Sequence, residues 1–255
     1  MSSRAITKPS ITIESETKMS SLLISVRTSE EAEVVLRHDV PFLDVKEPHA
    51  GSLGKATDHE IARVVAAAKQ RPEVTVSAAL GEIGDVDLAR WKPIAGVTLY
   101  KLGLAAQAGK DWQLQAREWR DRIGALAPDA SLILAAYADA HLAAAPTPTE
   151  VLTTATALGL RFFLVDTYDK HAGSLTTWLS EPEIAALVRE THQAGLRVAL
   201  AGSLRLEELR MVSSLGSDVL AIRGAVCAAA ERNAQLDVRR VEKACRLTRA
   251  IEETY

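Results

Sequence analysis

Five charged residues fall inside or just after segments that otherwise look like buried strands. The run Phe42-Leu43-Asp44-Val45-Lys46 is apolar enough for a core strand, yet it holds an acid and an amine two residues apart. Residues i and i+2 of a strand point to the same side, so Asp44 and Lys46 share one face. Lys101 sits in a second such run (97–103, VTLYKLG), Asp166 in a third (161–167, RFFLVDT), and Lys170 follows four residues later. A lysine that is desolvated or crowded by other cations loses part of its preference for the charged form. The neutral amine can then attack a carbonyl and form a Schiff base, whose iminium is an electron sink for aldol and elimination chemistry. Carboxylates and a second lysine close by can move the protons. The plainer alternative is that Lys46–Asp44 and Lys101–Asp166 are internal salt bridges. Buried ion pairs rarely improve stability over apolar residues, so several on strand ends favour a site.

The elements that would hold these residues repeat along the chain. Eight short apolar runs are expected as strands: 21–26, 42–46, 74–80, 97–103, 131–137, 161–167, 196–202 and 217–223. Amphipathic stretches lie between most of them. Ser29 is expected to cap the first helix and Thr57, with Glu60 three residues on, to form a capping box. Gly159, Gly195 and Gly216 stand where helices should end. Strict β–α alternation implies a parallel sheet, and eight strands within this length fit a single-domain (β/α)8 TIM barrel. An open doubly wound sheet is the alternative. It is weakened because neither a GxGxxG nor a GxxxxGK[ST] loop follows the first strand. In a barrel the C-terminal ends of the strands carry the chemistry. Asp44 and Lys46, Lys101 and Asp166 are then expected at the ends of strands 2, 4 and 6, converging on one cavity with Lys170.

Strands 7 and 8 each run into a small loop containing glycine, ALAGSL and AIRGAVC. Such loops in barrels bind phosphate through backbone N–H groups. Gly202, Ser203 and Gly224 would allow the close approach, and Arg223 would add charge. His49 and His171 fall in loops near the expected site and could shuttle protons. His38, His59, His141 and His192 read as surface positions, and Trp91 as a core residue beside a turn. No histidines or cysteines have metal-ligand spacing, so no metal is expected.

Composition narrows the rest. The chain has 255 residues, 47% hydrophobic, with a net charge of −3. That allows a sizeable core and offers no basic field for nucleic acid. No run approaches the ~18 apolar residues of a membrane helix. Cys227 and Cys245 suit free thiols in a reducing, cytoplasmic setting. Residues 1–19 are rich in Ser and Thr, lack an apolar signal core and read as a flexible tail, with the barrel occupying 20–255; Met19 is a plausible alternative start.

The segments DVKEPHAGSLG, VSAALGE, YKLGL and LVDTYDKHAGSL together resemble the (5-formylfuran-3-yl)methyl phosphate synthases, or 4-HFC-P synthases, of methanofuran-type cofactor biosynthesis. The resemblance runs from about Leu22 through AIRGAV. It implies a barrel enzyme without a metal or organic cofactor, active in one-carbon metabolism. The implied reaction joins two molecules of glyceraldehyde 3-phosphate, with loss of phosphate and water, to a furan aldehyde phosphate. Lys46 would be the Schiff-base lysine, Lys101, Asp166 and Lys170 the other active-site residues, and Asp44 their neighbour. The expected partner is thus a small triose phosphate, with no nucleic acid or membrane, and a homo-oligomeric state is left open. Two other functions fit the same residues: a class I aldolase acting on a sugar phosphate, and a non-catalytic barrel that binds a phosphate ligand.

Overall fold

Eight parallel strands close into a barrel in the computed structural model, which describes residues 20–252, with side chains through Arg249. The expected tail, residues 1–19, lies outside the described residues. The strands are β1 (Ser21–Val26), β2 (Phe42–Val45), β3 (Thr75–Glu82), β4 (Leu99–Gly103), β5 (Ser131–Tyr137), β6 (Phe162–Asp166), β7 (Arg197–Leu200) and β8 (Val219–Ile222). Each pairs with its sequence neighbours, and β8 returns to β1 with Ser21 opposite Val219. The helices are α1 (Ser29–Leu36), α2 (Asp58–Ala68), α3 (Trp112–Leu126), α4 (Pro148–Ala157), α5 (Leu175–Trp178), α6 (Glu181–Gln193), α7 (Leu209–Ser214) and α8 (Val238–Glu252).

Two apolar layers follow from the period-2 pattern of the strands. Outward-facing residues such as Ile24, Leu43, Leu102, Leu134 and Phe163 pack under the helices. Inward-facing residues, among them Leu23, Phe42, Leu99, Ile133, Phe162, Leu164 and Val219, fill the barrel interior. At its lower end the Arg197 guanidinium lies over the Phe42 and Phe162 rings, 5.9 and 5.0 Å from their centroids. The link from β3 to β4 contains no α-helix. Trp91 covers that side instead, edge-on to Tyr100 and Trp119 at 5.0 and 5.4 Å.

Helix ends mostly follow the expected chemistry. Gly159, Gly195 and Gly216 adopt φ of +65°, +77° and +90°, the left-handed conformation in which a side chain is strained. Two caps differ from expectation. Thr28, not Ser29, caps α1, its hydroxyl accepting from the Glu31 amide at 3.3 Å. Thr57 caps α2 by accepting from the Glu60 amide at 3.1 Å, but the Glu60 carboxylate does not return the bond. It accepts from the Ser29 amide at 2.7 Å and so ties α2 to the start of α1.

Candidate active site

The cleft at the C-terminal mouth of the barrel has a volume of about 280 Å3 and is lined by Lys46, Lys101, Asp166 and Lys170. Gly202, Ser203, Arg223 and Gly224 line it from the β7 and β8 side. These eight residues, gathered from five strands and loops, are among those expected from sequence. Asp44 lies beneath the cleft, fully buried.

The charges pair differently from the sequence expectation. Lys101 is the third of the five residues of β4, not its last, and so sits deeper in the barrel. Its ammonium lies 2.5 Å from Asp44 Oδ1. Ser25 of β1 and Ser77 of β3 donate to the same carboxylate at 2.9 and 2.8 Å. The register explains this group, since Asp44 stands directly opposite Ser25 on one side and Ser77 on the other. Burial raises the Asp44 carboxyl, but Lys101, Lys46 and the donated hydrogen bonds outweigh it and hold the group below its usual range.

A second pair stands at the end of β6. Lys170 reaches back to Asp166 Oδ1, which also accepts from the Thr167 amide at 2.8 Å. Ser52, from the loop after β2, donates to Asp166 Oδ2 at 3.2 Å and to the Thr167 carbonyl at 2.8 Å. Burial would raise the Asp166 carboxyl, but Lys170 and Lys46 bring it down to about 2. The Lys170 amine is shifted downward by burial, partly opposed by Asp166.

Lys46 is left over. Among the described residues no carboxylate lies within 4 Å of its ammonium, whereas Lys101 and Lys170 each have one. It directly follows the last residue of β2, and its amide still donates to the Val26 carbonyl of β1 at 3.0 Å. Burial pushes the amine down to about 7. Lys170 and Lys101 push the same way, and Asp166 and Asp44 offset them only in part. Near neutral pH about half of such a group is the free amine, the nucleophilic form.

The loop from Glu47 to Gly54 closes one wall of the cleft. Its ends meet through a 2.8 Å bond from the Glu47 amide to the Gly54 carbonyl. A Cβ at Gly54 would fall 2.2 Å from the Glu47 carbonyl oxygen, so only glycine fits. The fold buries Leu53 against the barrel interior and aims Ser52 at Asp166. Opposite, Asp139 is fully buried and accepts the amides of Tyr168 and Asp169 at 2.7 and 2.8 Å, which fixes the loop that carries Lys170.

Arg223 requires a correction. Its guanidinium has five N–H donors, and they go to Glu31 twice and to the carbonyls of Ser25, Arg232 and Ala234. No donor remains for a ligand, so Arg223 braces the end of β8 and does not bind an anion directly. The amides beside it differ. Gly202 has φ of +102°, Ser203 of +47°, and Gly224 opens a 3-10 turn that ends at Val226. His171 lines the cleft, whereas His49 is exposed outside it. Among the described residues no group of three or more His, Cys, Asp and Glu is placed to hold a metal ion.

Residues absent from the sequence expectation include Ser25, Ser77, Ser52, Asp139 and Arg232. Ser25 and Ser77 carry a signal: each is a hydroxyl inside an apolar strand, at the inward-facing parity. Ser52, Asp139 and Arg232 sit in loops, where no periodicity marks the inward side.

Comparison with known proteins agrees with this architecture. The chain is 33% identical over 218 residues to a (5-formylfuran-3-yl)methyl phosphate synthase of Methanobrevibacter smithii, covering 83% of this chain and 91% of that one. A protein of the same name from Methanococcus maripaludis is 31% identical over 235 residues, with coverages of 88% and 99%. Among solved structures, KGPDC from Streptococcus mutans superposes with a TM-score of 0.61 at 12% identity, covering 92% of this chain and 99% of that one, a likeness of fold alone. No helix of the described residues is long and apolar enough to cross a membrane. The model of the 4-HFC-P synthase family matches residues 22–245, and the chain belongs to that family of enzymes.

Proposed function

We propose that this protein condenses two molecules of glyceraldehyde 3-phosphate to (5-formylfuran-3-yl)methyl phosphate, through a Schiff base on Lys46, as a step toward a methanofuran-type cofactor. The observation that carries the reading is the Lys46 amine, unpaired in a polar cleft and held at about 7 between two lysine–carboxylate pairs. The names of the relatives in the family supply the product.

The chemistry runs as follows. The neutral Lys46 amine adds to the aldehyde carbon of one triose phosphate, and loss of water gives the iminium. The iminium withdraws electrons, so a base removes the proton at the adjacent carbon and an enamine forms. The enamine pair expels phosphate from the next carbon, breaking a C–O bond. Further proton loss gives a carbon nucleophile at that carbon, and it adds to the C2 carbonyl of the second molecule in its ketose form, reached by shifting a proton from C2 to C1. The C1 hydroxyl of that molecule closes the ring onto the central carbon of the first, two dehydrations make the ring aromatic, and hydrolysis of the imine releases Lys46. The Asp166–Lys170 pair is the proton carrier in this scheme, since both groups line the cleft beside Lys46. Lys101 and Asp44 act from below, Lys101 lowering the proton affinity of Lys46 and Asp44 neutralising Lys101. The amides of the β7 and β8 loops hold a substrate phosphate.

Incubation of the purified protein with glyceraldehyde 3-phosphate alone tests the reading. The expected outcome is a furan aldehyde phosphate by mass and ultraviolet absorbance, together with a borohydride-trapped adduct on the peptide that contains Lys46. The variant Lys46→Arg keeps a positive charge but cannot form the imine, and should give neither. Reversible cleavage of a sugar phosphate without a furan would assign the site to an aldolase. An absent adduct would remove the covalent scheme.

A further inference from the structure

We infer that Arg232 is the arm that recognises the phosphate of the substrate at the mouth of the cleft, and that Arg223 is the positioning residue that holds it there. The inference rests on the proposed reading of a phosphorylated aldehyde substrate. It grows from a contrast between two arginines that line the same cavity. The five donors of Arg223 are all occupied. Arg232 uses one donor, Nη2, on the Gly51 carbonyl at 3.0 Å, and among the described residues none of the other four has a protein acceptor.

The backbone beneath Arg232 is unusually well fixed for a loop. Arg223 donates to the carbonyls of Arg232 and Ala234 at 2.8 and 3.3 Å, and Arg27 donates to that of Asn233 at 3.0 Å. Three consecutive carbonyls are therefore each held by a guanidinium. Arg223 is itself anchored by the buried Glu31 carboxylate at 2.9 Å. The Arg232 side chain leaves this platform and crosses to Gly51, in the loop that follows Lys46 and presents Ser52 to Asp166. It thus spans the cleft between the β8 loop and the β2 loop. A planar fork with unused donors matches a phosphate dianion, and a guanidinium makes this contact bidentately where an ammonium cannot. The Gly202, Ser203 and Gly224 backbone lines the same cavity, so the phosphate can meet amides on one side and the guanidinium on the other.

Inorganic phosphate titrated into the intact protein is the first test, read by calorimetry. Phosphate affinity should fall about 10- to 100-fold in Arg232→Gln, the size of losing charge-assisted hydrogen bonds. It should fall nearly as far in Arg232→Lys, which keeps the charge but loses the fork. Arg90→Gln removes an equal charge from a side chain 90% exposed and outside the cleft, and should bind phosphate as the wild type does. The second test is borohydride trapping at Lys46. In Arg232→Gln the half-saturating concentration of glyceraldehyde 3-phosphate should rise by the same factor, while that of unphosphorylated glyceraldehyde stays put. Absence of phosphate binding by the wild type, an unchanged phosphate affinity in both Arg232 variants, or an equal loss for the two aldehydes would overturn the assignment. Trapping without furan formation in the wild type would instead sink the proposed reaction and leave the phosphate comparison decisive for Arg232.

Discussion

Replacing Lys170 by methionine should move the titration of Lys46, and the direction follows from the neighbours. Burial is the largest cause of the depression of Lys46, and the Lys170 cation adds to it. Lys170→Met removes that cation. It also leaves Asp166 without its ammonium partner, so the carboxylate is free to favour the charged form of Lys46. Both changes raise the proton affinity of Lys46, while burial and Lys101 still oppose them. A shift of about one to three pH units is the usual scale for one neighbouring charge, which takes the midpoint from about 7 to between about 8 and 10. At pH 7 the free-amine fraction then drops from roughly one half to between ~10% and ~0.1%, a loss of roughly 5- to 500-fold. The ceiling is an ordinary lysine at about 10.5, whose free-amine fraction at pH 7 would be roughly 1,500-fold below that of Lys46. The assay is borohydride trapping of glyceraldehyde on Lys46 as a function of pH, with unfolding followed at each pH. Adduct formation does not need the later proton transfers, so a catalytic role of Lys170 in those steps does not enter the readout. The variant should come within about twofold of wild-type trapping by pH 10. A midpoint at or below that of the wild type, or a deficit well beyond about twofold at pH 10, would refute the electrostatic account of Lys46.

Lys101→Met should cost about 3–5 kcal/mol of stability at pH 7 in urea denaturation, because it strands the fully buried Asp44 charge with only two serine hydroxyls. The double variant with Asp44→Asn should recover most of that loss, and failure to do so would show that the pair is not what stabilises the interior. The two loop glycines should separate: Gly202→Ala puts a Cβ 2.8 Å from Thr167 Cγ2 at φ +102° and should destabilise the fold by more than about 1 kcal/mol, whereas Gly224→Ala meets nothing closer than 3.4 Å and should fold normally. A raised KM for the phosphorylated substrate in folded Gly224→Ala, with trapping of unphosphorylated glyceraldehyde intact, is the expected kinetic signature of an anion against that loop.

The sequence carries the barrel plainly and the wiring of the site hardly at all. β1 and β5 have the bounds expected from their apolar runs, because burial on both faces makes them continuous. The run ending in Lys46 is one residue longer than β2, because Lys46 keeps the inward parity of Asp44 and its amide still bonds to β1 just past the strand's end. The charges themselves stand out because a strand buried on both sides should have none. Their pairing depends on registers that link distant parts of the chain. Two residues along a strand rise by roughly 6.6 Å, so Asp44 and Lys46 share a face but occupy different layers. Within one layer the partners come from neighbouring and alternate strands, which is how Asp44 finds Ser25, Ser77 and Lys101. Arg223 illustrates the same blindness. A lone arginine before a glycine reads as an anion ligand, and only the fold reveals Glu31, 192 positions away, already holding it.

The surplus amine is the feature that both views share. Lys46, Lys101 and Lys170 face Asp44 and Asp166, three cations against two acids in one enclosed space. Each acid, held ionised by hydrogen bonds and by its neighbours, neutralises one lysine. The third lysine then sits between two pairs without a counter-charge, in surroundings that disfavour a cation, and its proton becomes easy to lose. A barrel that merely needed internal salt bridges would match acids to amines. Leaving one amine unmatched lowers stability wherever that lysine is charged; under the Schiff-base reaction proposed above, that imbalance is the means of keeping the nucleophile unprotonated at neutral pH.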